Sequence, residues 1–518
     1  MNSTAASTAA IALVLLLSGA LYFHRLAEVP VYVSTDEAKL AVQAHSLATT
    51  GRDLRGNRLP VFVLIVDPLL PEQHSVAWWQ PALFYSTAGM FKLADVSAWS
   101  TRVPVATLAL LNVFLIYVVA SRWLASRPLA LFAASALALT PSHFILGREA
   151  ADYFCPTTVA LLWLAASWRF LERRDPRSAL ILGLVLGVGL YTYITSWVVM
   201  PMYLALTILA AWRQRIPINS TAAMIATFAC CAIPAVIWVA LHPSMLTETL
   251  THYKVSGGSR ALERITLYWD YFNPSYLFFS GGSSLLWSTR TAGVFLLPFV
   301  VLLPAGLWAL IGVSRSAFDV VLVASFLLVP LPIVLAMPEA PFYATARAIL
   351  AAPLGVLIAT AGVAALAKSS HVSLRTVAFL AIVWMPWQFS SFVRDYLNHY
   401  PQRSASWIDV MNFAGVARYV IENANGVPAV YLSHDDIGED KAVKWKFHLI
   451  AAKRLDLWAR TKYLEPDEQA SPAIETASLL IMSPSNARVR ALTAEGWSLA
   501  TTIQDAAGTP SAAVLRKR

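Results

Sequence analysis

The sequence predicts a polytopic α-helical membrane protein, with about eleven transmembrane helices and a small α/β domain at its C-terminal end. Three observations lead there. Of the 518 residues, 57% are hydrophobic and only 13% are charged, with a mean hydropathy of +0.58. Soluble domains usually carry about 25% charge, so this chain has too little to cover itself in water. Apolar runs long enough to cross a hydrocarbon core about 30 Å thick recur through the first four hundred residues. Residues 400–518 then reverse the composition, holding 14 of the 39 Lys and Arg and 13 of the 30 Asp and Glu. A soluble cytosolic enzyme, a disordered chain and a disulfide scaffold are excluded. Three cysteines build no framework. Cys155 opens an apolar run, Cys230 and Cys231 sit inside one, and all three read as buried thiols without a metal role.

Each span needs about 20 apolar residues, with roughly 17 as the lower limit. The spans fall near 8–24, 101–121, 128–144, 155–171, 178–195, 197–212, 220–241, 291–312, 318–336, 347–367 and 375–392. The first reads as an uncleaved anchor: no Lys or Arg precedes it and no A-x-A cleavage site follows. Every second short loop is basic: Arg122 and Arg127; Arg169, Arg173, Arg174 and Arg177; Arg213 and Arg215; Arg315; Lys368 and Arg375. These loops are expected to face the cytoplasm. Loops 25–100, 145–154, about 191–197, 242–290 and 337–346, and everything after Phe392, then face outward. Arg25 and the uncharged N-terminus run weakly against this alternation. In such a chain the net charge of +9 belongs to the cytoplasmic face and to any site that holds a lipid phosphate.

The division is therefore a membrane domain over 1–399 and an extracytoplasmic domain over 400–518. In the latter, a helix is expected near 405–424, a strand over 427–432, a helix near 439–453, a strand over 477–482, a helix near 485–495 and two terminal strand-like pieces. Alternating elements of this kind suggest a small α/β fold. It contains no Gly-rich phosphate loop, and acceptor docking and a structural lid are both open roles for it.

The spans themselves are almost free of charge. Asp36, Glu37, Asp53, Asp67, Glu72, Arg148, Glu149, Asp152, Lys254, Arg260, Glu263, Arg264, Asp270, Glu339 and Arg347 all fall on the outer side. A coupled transporter would need ionisable groups near mid-membrane. Charge gathered at the outer boundary argues instead for an enzyme acting there on a lipid-borne substrate.

The most informative stretch is 29–60, VPVYVSTDEAKLAVQAHSLATTGRDLRGNRLP. Ser34 followed by Glu37 is a capping-box pattern that opens a helix of about 36–49, broken by Gly51. Ala38, Ala41, Val42, His45 and Leu47 lie mostly on one side, so this helix could rest at the membrane interface. Asp36 and Glu37 have two readings: they offset the helix dipole, or one of them is a general base held at a helix start.

The loop pattern TDEAxxAxxAxxLxxTGxDxxGxxxP, followed by WWQPALFYSTAGMFKLA (78–94), resembles the GT-C class of membrane glycosyltransferases. The relatives in view are the protein O-mannosyltransferases, the aminoarabinose lipid A transferases and their bacterial RgtA/B/C/D-like cousins. The resemblance extends to HFILGREAADYF (143–154), YWDYFNPSYLFFSGG (268–282) and APFYATARAILAAP (340–353), and so spans about residues 8–392. It implies an integral-membrane, inverting glycosyltransferase of the bacterial inner membrane. The donor would be a polyprenyl-phosphate sugar and the acceptor a hydroxyl of a lipid, glycan or protein. It implies Asp36 as the catalytic base or a positioner of acceptor or metal, with Glu37 as its neighbour. A lipid or polysaccharide transporter and a non-catalytic scaffold are the rival readings.

A leaving lipid phosphate gathers negative charge, so cations must be in place before reaction. Arg148, Lys254, Arg260, Arg264 and Arg347 are the outward candidates, and Arg347 stands where the chain re-enters the membrane. The plainer readings are a snorkelling end-of-helix arginine for Arg347, a local pair with Glu149 or Asp152 for Arg148, and solvated charge for the other three. Glu149, Asp152 and Tyr343 are candidates to position acceptor or donor. The two acids could instead join Asp36 around a divalent metal, but a monophosphate donor can be neutralised by arginines alone, so no cofactor is expected. His45, His74, His143, His242 and His252 show no ligand spacing. The aromatics of 242–290 form either an interfacial belt or a lid over an isoprenoid chain; Trp78 and Trp79 read as belt residues.

Overall fold

The computed structural model describes residues 3–71, 77–252, 261–313, 316–336, 344–434, 441–466 and 474–518. Each of the eleven expected spans falls on a helix. Six are long and apolar enough to cross a membrane: Ala98–Trp123, Asp152–Arg173, Ser196–Arg213, Ile218–Leu241, Ala317–Leu335 and Val372–Asn398. Five are apolar but shorter, at 10–17 residues: Ser7–Phe23, Arg127–Ala138, Pro176–Gly189, Phe299–Gly312 and Ala351–Ala367. Local chemistry explains the shortening. Pro141 opens a separate helix, Pro141–Leu146, after Thr140, because proline lacks the N–H that would continue the previous one. Pro298 likewise stands just before the helix Phe299–Trp308, so the expected span from 291 begins as turns.

The chain forms two compact units. The first comprises Met1–His24, Ala77–Leu83 and Val103–Asp395; the second comprises Arg25–Val76, Phe84–Arg102 and Tyr396–Arg518. The composition break at residue 400 lies just beyond the point where the chain last passes between them. The second unit also takes in the first outer loop.

In the first unit, small residues set the helix contacts. Gly183 and Gly187, one turn apart on Pro176–Gly189, lie against Ile218–Leu241. A Cβ on Gly183 would run into the Met224 carbonyl, and one on Gly187 into the Cys231 side chain. This is the close approach that a small-xxx-small pattern permits between membrane helices. Cys155 is buried as expected, but Cys231 is only half-buried and Cys230 is exposed, because Cys230 lies on the outer face of its helix.

In the second unit, five strands, β1 (Val430–Ser433), β2 (Thr461–Leu464), β3 (Leu479–Met482), β4 (Trp497–Gln504) and β5 (Pro510–Lys517), form one sheet in the order β2-β1-β3-β5-β4. β1 runs parallel to β2 and β3; β5 runs antiparallel to β3 and β4. Side chains alternate across the sheet. Val430, Leu432, Leu479, Ile481 and Val514 pack with Val416, Val420, Trp445 and Leu449. Leu480, Met482 and Leu515 pack with Leu492 and Trp497 on the other face. The α/β expectation is met, with one strand, β2, unforeseen. The expected helix over 405–424 is broken into Tyr400–Ile408 and Phe413–Glu422, since Asn412 adopts a left-handed conformation with φ 46°.

Candidate active site

The first-loop helix runs Thr35–Thr50. Its capping box is complete: the Glu37 N–H donates to Ser34 Oγ at 3.3 Å and the Ser34 N–H donates to Glu37 Oε2 at 3.0 Å. Gly51 closes the helix at φ 69° with its N–H on the Leu47 carbonyl, a conformation glycine reaches without steric cost. The apolar face does not rest on lipid. Ala38, Ala41 and Val42 pack against Val443, Phe447 and Ile450, on the helix Lys441–Ala451. The C-terminal residues thus form the seat of the helix that carries Asp36.

Glu37 is corrected from candidate base to anchor. It has no exposed surface. Arg102 Nε donates to Glu37 Oε1 at 2.7 Å and Arg102 Nη2 to Glu37 Oε2 at 2.9 Å. The same guanidinium donates to the carbonyls of Leu26, Pro30 and Tyr32. Asp36, one residue earlier, is half-buried in the first turn, where the helix dipole favours a carboxylate. Arg102 escaped the sequence reading. The available signal was a lone arginine at the outer end of the second span, in STRVP.

In the first unit, Arg148 is fully buried. Its Nη1 donates to the Tyr22 carbonyl at 2.6 Å and the Leu21 carbonyl at 3.2 Å, and its guanidinium lies 5.2 Å from the Phe144 ring centre. It ties the end of the first helix to the 145–154 loop rather than standing open to a donor. Tyr22 OH is 2.7 Å from His143 Nδ1, so His143 is a packed histidine. Glu149 is buried and accepts from Tyr153 OH at 2.6 Å. Asp152, also buried, starts the short turn Asp152–Phe154, which packs against the helix Ala344–Arg347. Residues almost two hundred positions apart thereby meet.

Arg347 is half-buried and lines a pocket of about 140 Å³ with Tyr193, Trp197, Leu246, Leu250 and Ile333 among others. It is the one charged side chain among those lining residues. The helix Ser244–His252 on one wall is held through Glu248, which accepts from Trp78 Nε1 at 2.7 Å. Trp78 is therefore a buried bracket and not a belt residue; its ring also meets Trp238 and His242 edge-on. Nearby, Tyr153 contacts Tyr193 and Trp287. Gly281, at φ +66°, closes the aromatic segment in a turn where a Cβ would meet the Ala292 carbonyl. Tyr271 is buried; burial and then the neighbouring Tyr276 push its hydroxyl above the usual tyrosine range, while Arg347 pulls it down. Arg264 stands half-buried on Ala261–Asp270. Lys254, Arg260 and Tyr343, with Glu72, His74 and Glu339, lie outside the described residues. Among the described residues, no group of three or more His, Cys, Asp and Glu is arranged to hold a metal ion.

Residues 75–238 match the family model of dolichyl-phosphate-mannose-protein mannosyltransferases. Two solved structures share the fold over almost the whole chain. ArnT from Cupriavidus metallidurans bound to undecaprenyl phosphate matches with TM-score 0.65 and 12% identity, covering 98% of this chain and 97% of that one. The same protein in its apo state matches with TM-score 0.64 and 13% identity, covering 98% of each chain. The chain therefore has the fold of ArnT, and about a third of it matches the mannosyltransferase family model. No curated protein matches it by sequence. The resemblance drawn from the loop motifs agrees with both comparisons, which do not favour the transporter and scaffold readings. The matched stretch begins after the first-loop helix, so the family match itself says nothing of Asp36.

Proposed function

We propose that this chain is a glycosyltransferase that takes its sugar from a polyprenyl monophosphate carrier at the outer face of the bacterial inner membrane and passes it, with inversion, to an acceptor hydroxyl. The observation that carries the reading is the pocket beside Arg347: an apolar cleft with a single guanidinium suits an isoprenoid that ends in a phosphate. The undecaprenyl phosphate bound in the ArnT structure supports the same ligand class. The C-terminal domain is then extracytoplasmic, on the side of the first outer loop.

In the reaction so assigned, the acceptor oxygen attacks the anomeric carbon as the bond from that carbon to the phosphate oxygen breaks. Asp36 takes the acceptor proton. The bonding pair leaves with the lipid phosphate, and Arg347 neutralises the charge that gathers there. Tyr271, kept protonated by its surroundings, is a neutral companion to that arginine. Glu149 and Asp152 shape the loop on which Arg347's helix rests. No metal is assigned, because a monophosphate leaving group can be met by a guanidinium.

The test is transfer from a polyprenyl-phosphate sugar in membranes holding the wild type, Asp36→Asn or Arg347→Gln. Removing a general base costs about 10²–10⁴ in rate. Asp36→Asn turning over at the wild-type rate with an intact fold removes the base assignment, and Arg347→Gln with an unchanged donor KM and kcat removes the phosphate assignment.

A further inference from the structure

A second cleft lies far from the Arg347 pocket within the first unit. The helix Ser196–Arg213 connects them: its first residues, Trp197 and Val198, line the Arg347 pocket, and its last, Arg213, lines the other. The separation along the helix is about 24 Å at 1.5 Å per residue. The second cleft, of about 320 Å³, runs along Val320, Val323, Ala324 and Leu327, with Leu310 and Ile311 opposite. It opens to the surrounding lipid: Ile311, Val320 and Leu327 are 54%, 43% and 39% exposed.

Four observations make this more than ordinary lipid-facing surface. The wall at Leu310 and Ile311 is a π-helical turn, Ala309–Val313, continuing the helix Phe299–Trp308; such turns widen a helix and mark functional sites more often than chance. Arg213 is exposed at one end of a cleft whose other lining residues, Asp319 apart, are apolar, on the side where basic loops are expected. Trp212 and Trp308, 76% and 67% exposed, stand in the chain next to Arg213 and two residues before Leu310, and exposed tryptophans are enriched at membrane–water interfaces. The acid in the lining, Asp319, is turned inward: it is 2% exposed, accepts from the Ser316 N–H at 3.0 Å and from Trp123 Nε1 at 2.9 Å, so Arg213 is the exposed charge among the described lining residues.

We propose that this cleft is a resident site for a glycerophospholipid of the leaflet on the basic-loop side, with one acyl chain along Val320–Leu327 and its phosphate on Arg213. The apolar wall from Asp319 to Leu327 is about 12 Å long, enough for the upper part of an acyl chain. Arg215, exposed two residues on, favours an anionic headgroup. The site is separate from the donor pocket and does not depend on the reading of that pocket.

The experiment is native mass spectrometry of the full chain, delipidated and then exposed to micelles containing either phosphatidylglycerol or diacylglycerol with the same acyl chains. The two lipids differ by the phosphate headgroup. Retention of phosphatidylglycerol about tenfold above diacylglycerol is expected for one charge-assisted contact. Arg213→Gln, at an exposed position, brings the two lipids level. Ala324→Phe fills the cleft and lowers both; Val320→Gln, at the exposed lip, serves where that variant does not fold. Equal retention of the two lipids by the wild type overturns the proposal. So does Arg213→Gln behaving as the wild type, or a well-folded cleft variant that retains both lipids undiminished.

Discussion

Glu37 and Arg102 form a two-point ion pair with no exposed surface on either side chain, at 2.7 and 2.9 Å. Arg102 spends its remaining donors on three carbonyls of the segment 26–32. One guanidinium thus fixes both the chain leading into the first-loop helix and the first turn of that helix. Asp36 lies between these fixed points. The pair that fixes these points joins positions 65 residues apart, which the sequence does not show as neighbours.

Removing Arg102 should be costly. Breaking a buried pair leaves an uncompensated charge, at about 3–5 kcal/mol. Arg102→Ala is expected to lower the thermal midpoint sharply and to reduce the folded yield in membranes. Arg102→Lys keeps the charge but not the fork that meets two oxygens and three carbonyls, so it should fall between. A midpoint for Arg102→Ala within error of the wild type would show that the pair contributes nothing net.

The C-terminal domain should lose stability in mild acid. Burial, and less strongly the charge of Lys444, hold His448 down to about 4, with Asp409 acting in the opposite sense. The unfolded histidine takes its proton near 6.5. Between those values the unfolded state binds more protons, so stability rises with pH through the window and is lost as pH falls from about 6.5 to about 4. Thermal unfolding of the full chain at pH 7 and pH 5, beside His448→Gln, checks the sign: the variant should show a flatter dependence over that interval.

Much of this was legible in the sequence, and the rest was hidden for identifiable reasons. Each expected apolar run fell on a helix because burial in lipid is a local property of a segment. Their lengths were less legible, since Pro141 and Pro298 set where a helix starts without interrupting the hydropathy. Ser34 and Glu37 announced the capping box because a cap is a contact across three residues. The partner that makes Glu37 an anchor is 65 positions away. An arginine at a span's end reads equally well as snorkelling. The face of Ala38, Ala41 and Val42 was visible as apolar, but an apolar stripe does not say whether lipid or another helix will cover it. Here it is Val443, Phe447 and Ile450, four hundred residues on. The Arg347 pocket draws on several distant segments, and only its arginine stood out in advance.

The Gly183–Gly187 contact should tolerate no enlargement. A side chain at Gly187 must displace Cys231, and one at Gly183 must displace backbone at Met224. Overpacking of this kind costs about 1–3 kcal/mol when a flexible neighbour can yield. Gly187→Leu is therefore expected to lower the thermal midpoint, and Gly183→Leu to lower it further because a carbonyl cannot rotate away. Gly183→Leu matching the wild type would show that the two helices separate freely.

Trp78 should act on donor binding and leave chemistry alone. Its Nε1 holds Glu248 at 2.7 Å, on the helix that supplies Leu246 and Leu250 to the Arg347 pocket. Trp78→Phe keeps most of the ring packing and deletes a hydrogen bond to a charged acceptor, a loss of about 1.5–3 kcal/mol of local order. The expected result is a several-fold rise in the KM for the polyprenyl donor with kcat little changed. A fall in kcat at constant KM would place Trp78 in the chemistry instead.

Chelation separates the two ways of meeting the leaving phosphate. With Arg347 neutralising it, transfer in membranes washed with EDTA should proceed at the untreated rate, and Arg347→Lys should keep part of the activity that Arg347→Gln loses, because a point charge replaces a planar one. A divalent metal would invert both outcomes. EDTA would then abolish transfer and added metal would restore it. Asp152, buried in the turn that packs against the helix of Arg347, and Glu149, buried three residues before it, are the acids whose replacement by Asn and Gln would weaken that restoration. Loss of transfer on chelation with recovery by a divalent cation would therefore remove the metal-free assignment while leaving the donor pocket where it is.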